Sequence, residues 1–258
     1  MTTSAQLCPI TNPYSLSIEE KLDLIEKSNG ALIGLLKDIE MRRPLRLHDM
    51  KSLTYLPDVK WVEDIQITAC PNFSRLPRRL ATRQLHILGI SGLKEMPRQV
   101  EWEVDSLELI CCTELRNLAT GIKASKIDLT GCCSLTELPE EICLSGSLSL
   151  DGCERLEHLP KRMKIGRWLD LRGCTSIKEL PAGLKIGEWL RASDCWALEH
   201  ISSCVRVGGR LELDRCRSLQ ECPVLPHVHG PIKLPEHLEK QVAAQSGSHT
   251  TKLPGPRN

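Results

Sequence analysis

The sequence predicts a repeat solenoid of short stacked β-strands, and two observations carry that expectation. Residues 127–189 say one thing three times, as IDLTGCCSLTELPEEICLSGS, LSLDGCERLEHLPKRMKIGRW and LDLRGCTSIKELPAGLKIGEW, each 21 residues long. A fixed period of this size marks an architecture in which each unit packs only on its neighbours. Within each unit two apolar residues flank a polar one, and this period-two alternation gives a short strand with one buried face.

Composition bounds the rest. The 258 residues carry 34 basic and 33 acidic side chains, net charge +1, so no global field steers the chain to nucleic acid or an anionic membrane. The first 20 residues lack a basic and an apolar leader region, and no 18 apolar residues run together, so the expectation is a soluble protein, cytoplasmic, without membrane insertion. Thirteen cysteines are an odd count in a chain far longer than disulfide scaffolds, which points to reduced thiols.

In chain order, residues 1–14 are polar and without period, which reads as a flexible tail. Residues 15–43 show Leu16, Leu22, Ile25 and then Leu32, Leu35, Leu36, Ile39 at helical spacing, with a Ser17/Glu20 capping box and a stop at Asn29-Gly30. They predict two helices, near 17–28 and 31–42, forming a helical cap over the first repeat. Residues 44–234 align on LxLxxCxxLxxLP with ten strand starts, Leu45, Ile65, Leu85, Leu107, Ile127, Leu148, Leu169, Leu190, Leu211 and Ile232, at intervals of 20 to 22. Further apolar sites (Leu53 to Leu219, and Leu56 to Ile201) are expected inside. Proline follows the last of these at Pro57, Pro77, Pro97, Pro139, Pro160, Pro181 and Pro223, so the return arm is expected to be extended or polyproline-like. Gly166, Gly187, Gly208 and Gly209 precede strands, where a tight turn suits glycine. Residues 235–258 predict a short helix followed by a disordered tail.

These residues resemble the leucine-rich repeat family. LDLRGCTSIKELPAGLKIGEW is similar to the short bacterial repeats, and LxLxGCxxLxxLP is also similar to repeats of plant intracellular immune receptors; the match covers about 45–234. Met50 and Ile90 depart from it at the cysteine, Ala119 and Ser202 at the proline, and Ala192 at a strand leucine. The resemblance implies an α/β, right-handed leucine-rich repeat solenoid with a concave parallel β-sheet, and a role in binding other proteins. Some members are effectors injected by bacterial pathogens, and the Ser- and Thr-rich opening is compatible with such delivery.

Cys70, Cys112, Cys132, Cys153, Cys174, Cys195 and Cys216 each lie five residues after a strand start, where a small side chain can donate to neighbouring backbone as a structural ladder. Thiols this far apart do not supply metal-ligand spacing, so neither metal nor cofactor is expected. His158 and His200 occupy matching turn sites without an orienting carboxylate, and His227 and His229 read as an exposed loop.

The concave grid carries more. Its central column reads Arg46, Gln66, His86, Glu108, Asp128, Ser149, Asp170, Arg191, Glu212, Lys233, acidic in the middle and basic at the ends. One column before it, Trp168 and Trp189 are neighbours about one strand spacing, ~4.8 Å, apart and are expected to be largely exposed. With five Trp, two Tyr and one Phe in the chain, such a pair beside Arg172 and Arg191 fits a binding hot spot, while indoles folded over Gly166 and Gly187 as backbone shields are the other reading. Asp151 lies in the column after, where Leu88 and Ile110 form an apolar patch. The expected function is a non-enzymatic, monomeric module binding a protein or peptide. A secreted effector using the same face is the alternative, and an enzyme with an exposed cysteine nucleophile lacks a coherent base and orienter.

Overall fold

A computed structural model describes residues 16–221 and 227–240 of the chain. It is a parallel β-solenoid of about nine turns. The ten expected strand starts stand side by side in unbroken parallel register, Leu45 on Ile65, Leu85, Leu107, Ile127, Leu148, Leu169, Leu190, Leu211 and Ile232. Register is enforced by the apolar pair, because a one-residue slip would turn every leucine outward. Both members of the pair are buried from Leu45 and Leu47 through Leu211 and Leu213, as is the third site from Leu53 to Leu219. At the fourth site Leu138 and Ile201 are only half-buried.

Of the two expected forms of the return arm, extended or polyproline-like, the structure takes the extended one. From the fifth turn on it forms a second parallel sheet of Glu141–Leu144, Arg162–Ile165, Leu184–Ile186 and Arg206–Val207. Ile142 and Leu144, Met163 and Ile165, and Leu184 and Ile186 alternate inward. Pro139, Pro160 and Pro181 precede these strands, so their missing N–H groups interrupt no ladder. In the first half, arm and sheet strand run together as Trp61–Thr68, Arg79–Leu88 and Gln99–Ile110. Pro223 and the expected terminal tails lie outside the described residues.

At the N-terminal side the helix Ile18–Lys27 starts with the anticipated capping box, Ser17 Oγ accepting from Glu20 N–H at 3.2 Å and Glu20 Oε2 from Ser17 N–H at 2.7 Å. The second helix is corrected. Residues 33–36 form one 3-10 turn, whose three-residue period buries Ile33 and Leu36, and the strand Glu40–Met41 then pairs with Trp61 and Val62. Left-handed Asp38 (φ 55°) turns the chain, and Ile39 C=O accepts from Lys60 and Trp61, so sheet pairing captures backbone that a helix would need. Residues 236–240 are helical and bury Leu238.

One conformational rule recurs in every turn. The fourth residue after the strand start has positive φ at Asp49, Ala69, Gly89, Cys111, Gly131, Gly152, Gly173, Asp194 and Arg215. A left-handed L-residue costs about 1–2 kcal/mol, more than the extra chain entropy glycine brings, so Ala69→Gly (φ 53°) should stabilise by about 0.5–1 kcal/mol. Urea titration measures this; a destabilised variant would show that Ala69 earns its place by packing.

Candidate functional site

The outer face of the long sheet brings the anticipated residues together. Trp168 pairs with Trp189 and Asp170 with Arg191 on adjacent strands. The indoles stack, ring centroids 5.0 Å apart and planes 5° from parallel. They are half-buried rather than largely exposed, because each ring covers a face of the other. The Arg191 guanidinium lies 5.0 Å from the Trp189 ring centroid, a cation–π contact.

Asp170 anchors the cluster. Its side chain is only 6% exposed and takes both cations: Arg172 Nε donates to its two oxygens at 3.1 and 3.0 Å, and Arg191 Nη1 lies 3.5 Å away. Arg172 Nη2 reaches Asp151 at 2.7 Å, and Arg191 Nε donates to Glu212 at 2.9 Å. A buried carboxylate is tolerable only when so paired, and the pairing fixes both guanidinium groups. Burial raises the Asp151 carboxyl above its ordinary range, with Arg172 opposing.

A second cluster lies toward the N-terminal end. Glu108 accepts from Lys126 Nζ at 2.9 Å and pairs with His86 Nδ1 at 2.9 Å. Asp128 lies 3.8 Å from Lys126 and accepts from Thr130 Oγ1 at 2.6 Å, and Thr130 contacts Ser149 Oγ at 2.9 Å. The acidic middle of the central column is therefore neutralised by Lys126 and Arg172 from the flanking columns together with Arg191 on the next strand, which a single-column reading misses. Leu88 and Ile110 pair in register; Leu88 is 41% exposed and Ile110 half-buried. Sequence reasoning also missed Trp196, 48% exposed with Arg217 5.5 Å from its ring centroid; its place after a ladder cysteine marked it as outward-facing.

The seven ladder cysteines are free and buried. Cys132, Cys153, Cys174, Cys195 and Cys216 donate to Leu109, Leu129, Leu150, Leu171 and Ala192 C=O at 3.0 to 3.4 Å, and Cys70 to Leu47 C=O at 3.6 Å. These carbonyls lie where the strand turns away, so each thiol takes the next place in the ladder. Cys112 has a longer contact of 3.9 Å to Ile110 C=O. Burial pushes the Cys112 thiol up to about 11 and those of Cys153 and Cys216 up to about 12, and raises those of Cys70, Cys132, Cys174 and Cys195.

Cys111, Cys143 and Cys204 are exposed, and among the described residues no contact joins any of them to a histidine. His158 and His200 stand in the open 3.9 and 4.0 Å from Glu157 and Glu199. His229 N–H donates to Val207 C=O. Among the described residues no group of three His, Cys, Asp or Glu can hold a metal, and no helix is long and apolar enough to cross a membrane. No protein-family model matches the chain, and no curated protein matches its sequence.

Proposed function

We propose that the chain is a leucine-rich repeat module without catalytic activity that binds another protein or peptide on a concave face of its long sheet. The observation that carries this reading is the Trp168–Trp189 stack held beside two fixed guanidinium groups on one outward face. Trp and Arg supply most interface hot spots, and a face whose charges are already satisfied presents aromatic area with little rearrangement on binding. The repeated LxLxxC segments support the repeat type. The helix Ile18–Lys27, with Ile25 buried, is read as the cap of the first turn. The cysteines among the described residues are all free, which suits a reducing compartment, read as the cytoplasm.

The test is Trp168→Ala/Trp189→Ala against Glu157→Ala/Lys178→Ala, measured with the partner that the wild-type protein captures. Removing the stack should cost about 1 kcal/mol of stability, whereas hot-spot truncation should cost about 2 kcal/mol or more of binding, at least roughly tenfold in affinity. Unchanged affinity per folded molecule would leave the indoles as backbone shields and remove the site.

A further inference from the structure

We propose a second docking site, away from the tryptophans: the free edge of the first sheet strand takes an extended acidic segment of a partner polypeptide as an added strand. Leu45–His48 pairs with Trp61–Thr68 on one side and, among the described residues, with no strand on the other. Alternate residues of a strand point their N–H and C=O groups to opposite sides. Asp49 N–H donates to Thr68, as Leu129 and Gly131 N–H donate to Ser149 and Asp151 in later turns, so odd-numbered residues here face the neighbouring strand. The main-chain N–H and C=O of Arg46 and His48 therefore face outward.

They open into a groove of about 690 Å³ between this strand and the helix, whose far wall is Leu22, Ile25 and Glu26. A bare strand edge beside an apolar wall is the geometry that captures extended peptides by main-chain pairing. Charge selects the occupant. Arg43 and Arg46 line the groove with Glu26 as its one acidic lining residue; Arg46 makes no ion pair among the described residues, while Arg43 Nη1 lies 3.2 Å from Glu19 and its Nε is buried without a hydrogen-bond partner. Residues 1–15 and 241–258 contain no Asp or Glu, so neither of these segments supplies the matching side chains. The complementary ligand is an acidic strand from another protein.

The test uses the full-length chain and a labelled short peptide alternating glutamate with valine and threonine, its lysine counterpart, and the glutamate peptide N-methylated at alternate amides. The glutamate peptide should bind and shift the amide resonances of Arg46 and His48. Arg43→Glu or Arg46→Glu should weaken it at least about tenfold, the other two peptides should fail, and Trp168→Ala/Trp189→Ala should bind it normally. The N-methylated probe keeps the test independent of variant folding. Equal binding by the lysine or N-methylated peptide, shifts confined to other strands, or no binding at millimolar peptide overturns the proposal. So does displacement by a peptide of residues 1–15, or self-association through this edge, either of which gives the groove a different occupant.

Discussion

Raising the pH from 7 to 9.5 should strip the fold of much of its stability. Burial raises the thiol pKa values of Cys112, Cys132, Cys153, Cys174, Cys195 and Cys216, that of Cys112 to about 11 and those of Cys153 and Cys216 to about 12. An unfolded cysteine ionises near 8.5, so between the two values the folded state binds more protons and stability falls as pH rises. Each thiol kept neutral costs about 1.4 kcal/mol at pH 9.5, roughly 8 kcal/mol for six, comparable with the whole stability of an ordinary domain. The contribution is fully present below pH 8. Urea titrations under reductant across pH 7–9.5 measure it, and the slope counts protons released on unfolding. Cys174→Ala should cost about 1–2 kcal/mol at neutral pH and lower that slope by about one proton. Flat stability up to pH 9.5 would mean the ladder thiols are hydrated.

The same periodicity explains what was legible in the sequence. The pairs Leu45/Leu47 to Leu211/Leu213 set face and register together, so the adjacency of Trp168 and Trp189 followed from counting alone. Side-chain partners did not follow, because Asp170 takes its cations from the next column and the next strand, where rotamers decide. The strands at Ile142 and Met163 were hidden behind Pro139 and Pro160, although the alternation of EICL and RMKI was readable. Residues 31–42 misled for another reason. Leu32, Leu35, Leu36 and Ile39 fit a helical face, yet Ile33 and Leu36 are the ones fully buried, and pairing of Glu40–Met41 with the sheet overrides local propensity.

Gly187→Ala should be among the most damaging single changes available in this chain. Gly166, Gly187 and Gly208 stack over Ser145 at the corner where the arm enters the long sheet, and none has positive φ, so their purpose is close approach rather than a special conformation. A Cβ on Gly187 would stand 1.9 Å from Gly166 C=O, and one on Gly208 2.0 Å from Gly187 C=O. The obstacle is backbone on the preceding turn, itself hydrogen-bonded: Gly187 N–H to Ile165 C=O and Gly208 N–H to Ile186 C=O, both at 2.9 Å. No side chain can swing aside, so two turns must separate and lose sheet pairing on both flanks. Overpacking usually costs about 1–3 kcal/mol, and a clash with fixed backbone belongs at or above the top of that range. Gly152→Ala is the control. There the added carbon meets Gly131 Cα at an ordinary 3.7 Å and only the positive φ of 73° is penalised, so the cost should be about 1 kcal/mol. Because each turn touches only its neighbours, hydrogen exchange in Gly187→Ala should rise first in residues 162–191 and leave 61–110 protected. An alanine tolerated at Gly187 as well as at Gly152 would show that the turns are spaced more widely at this corner.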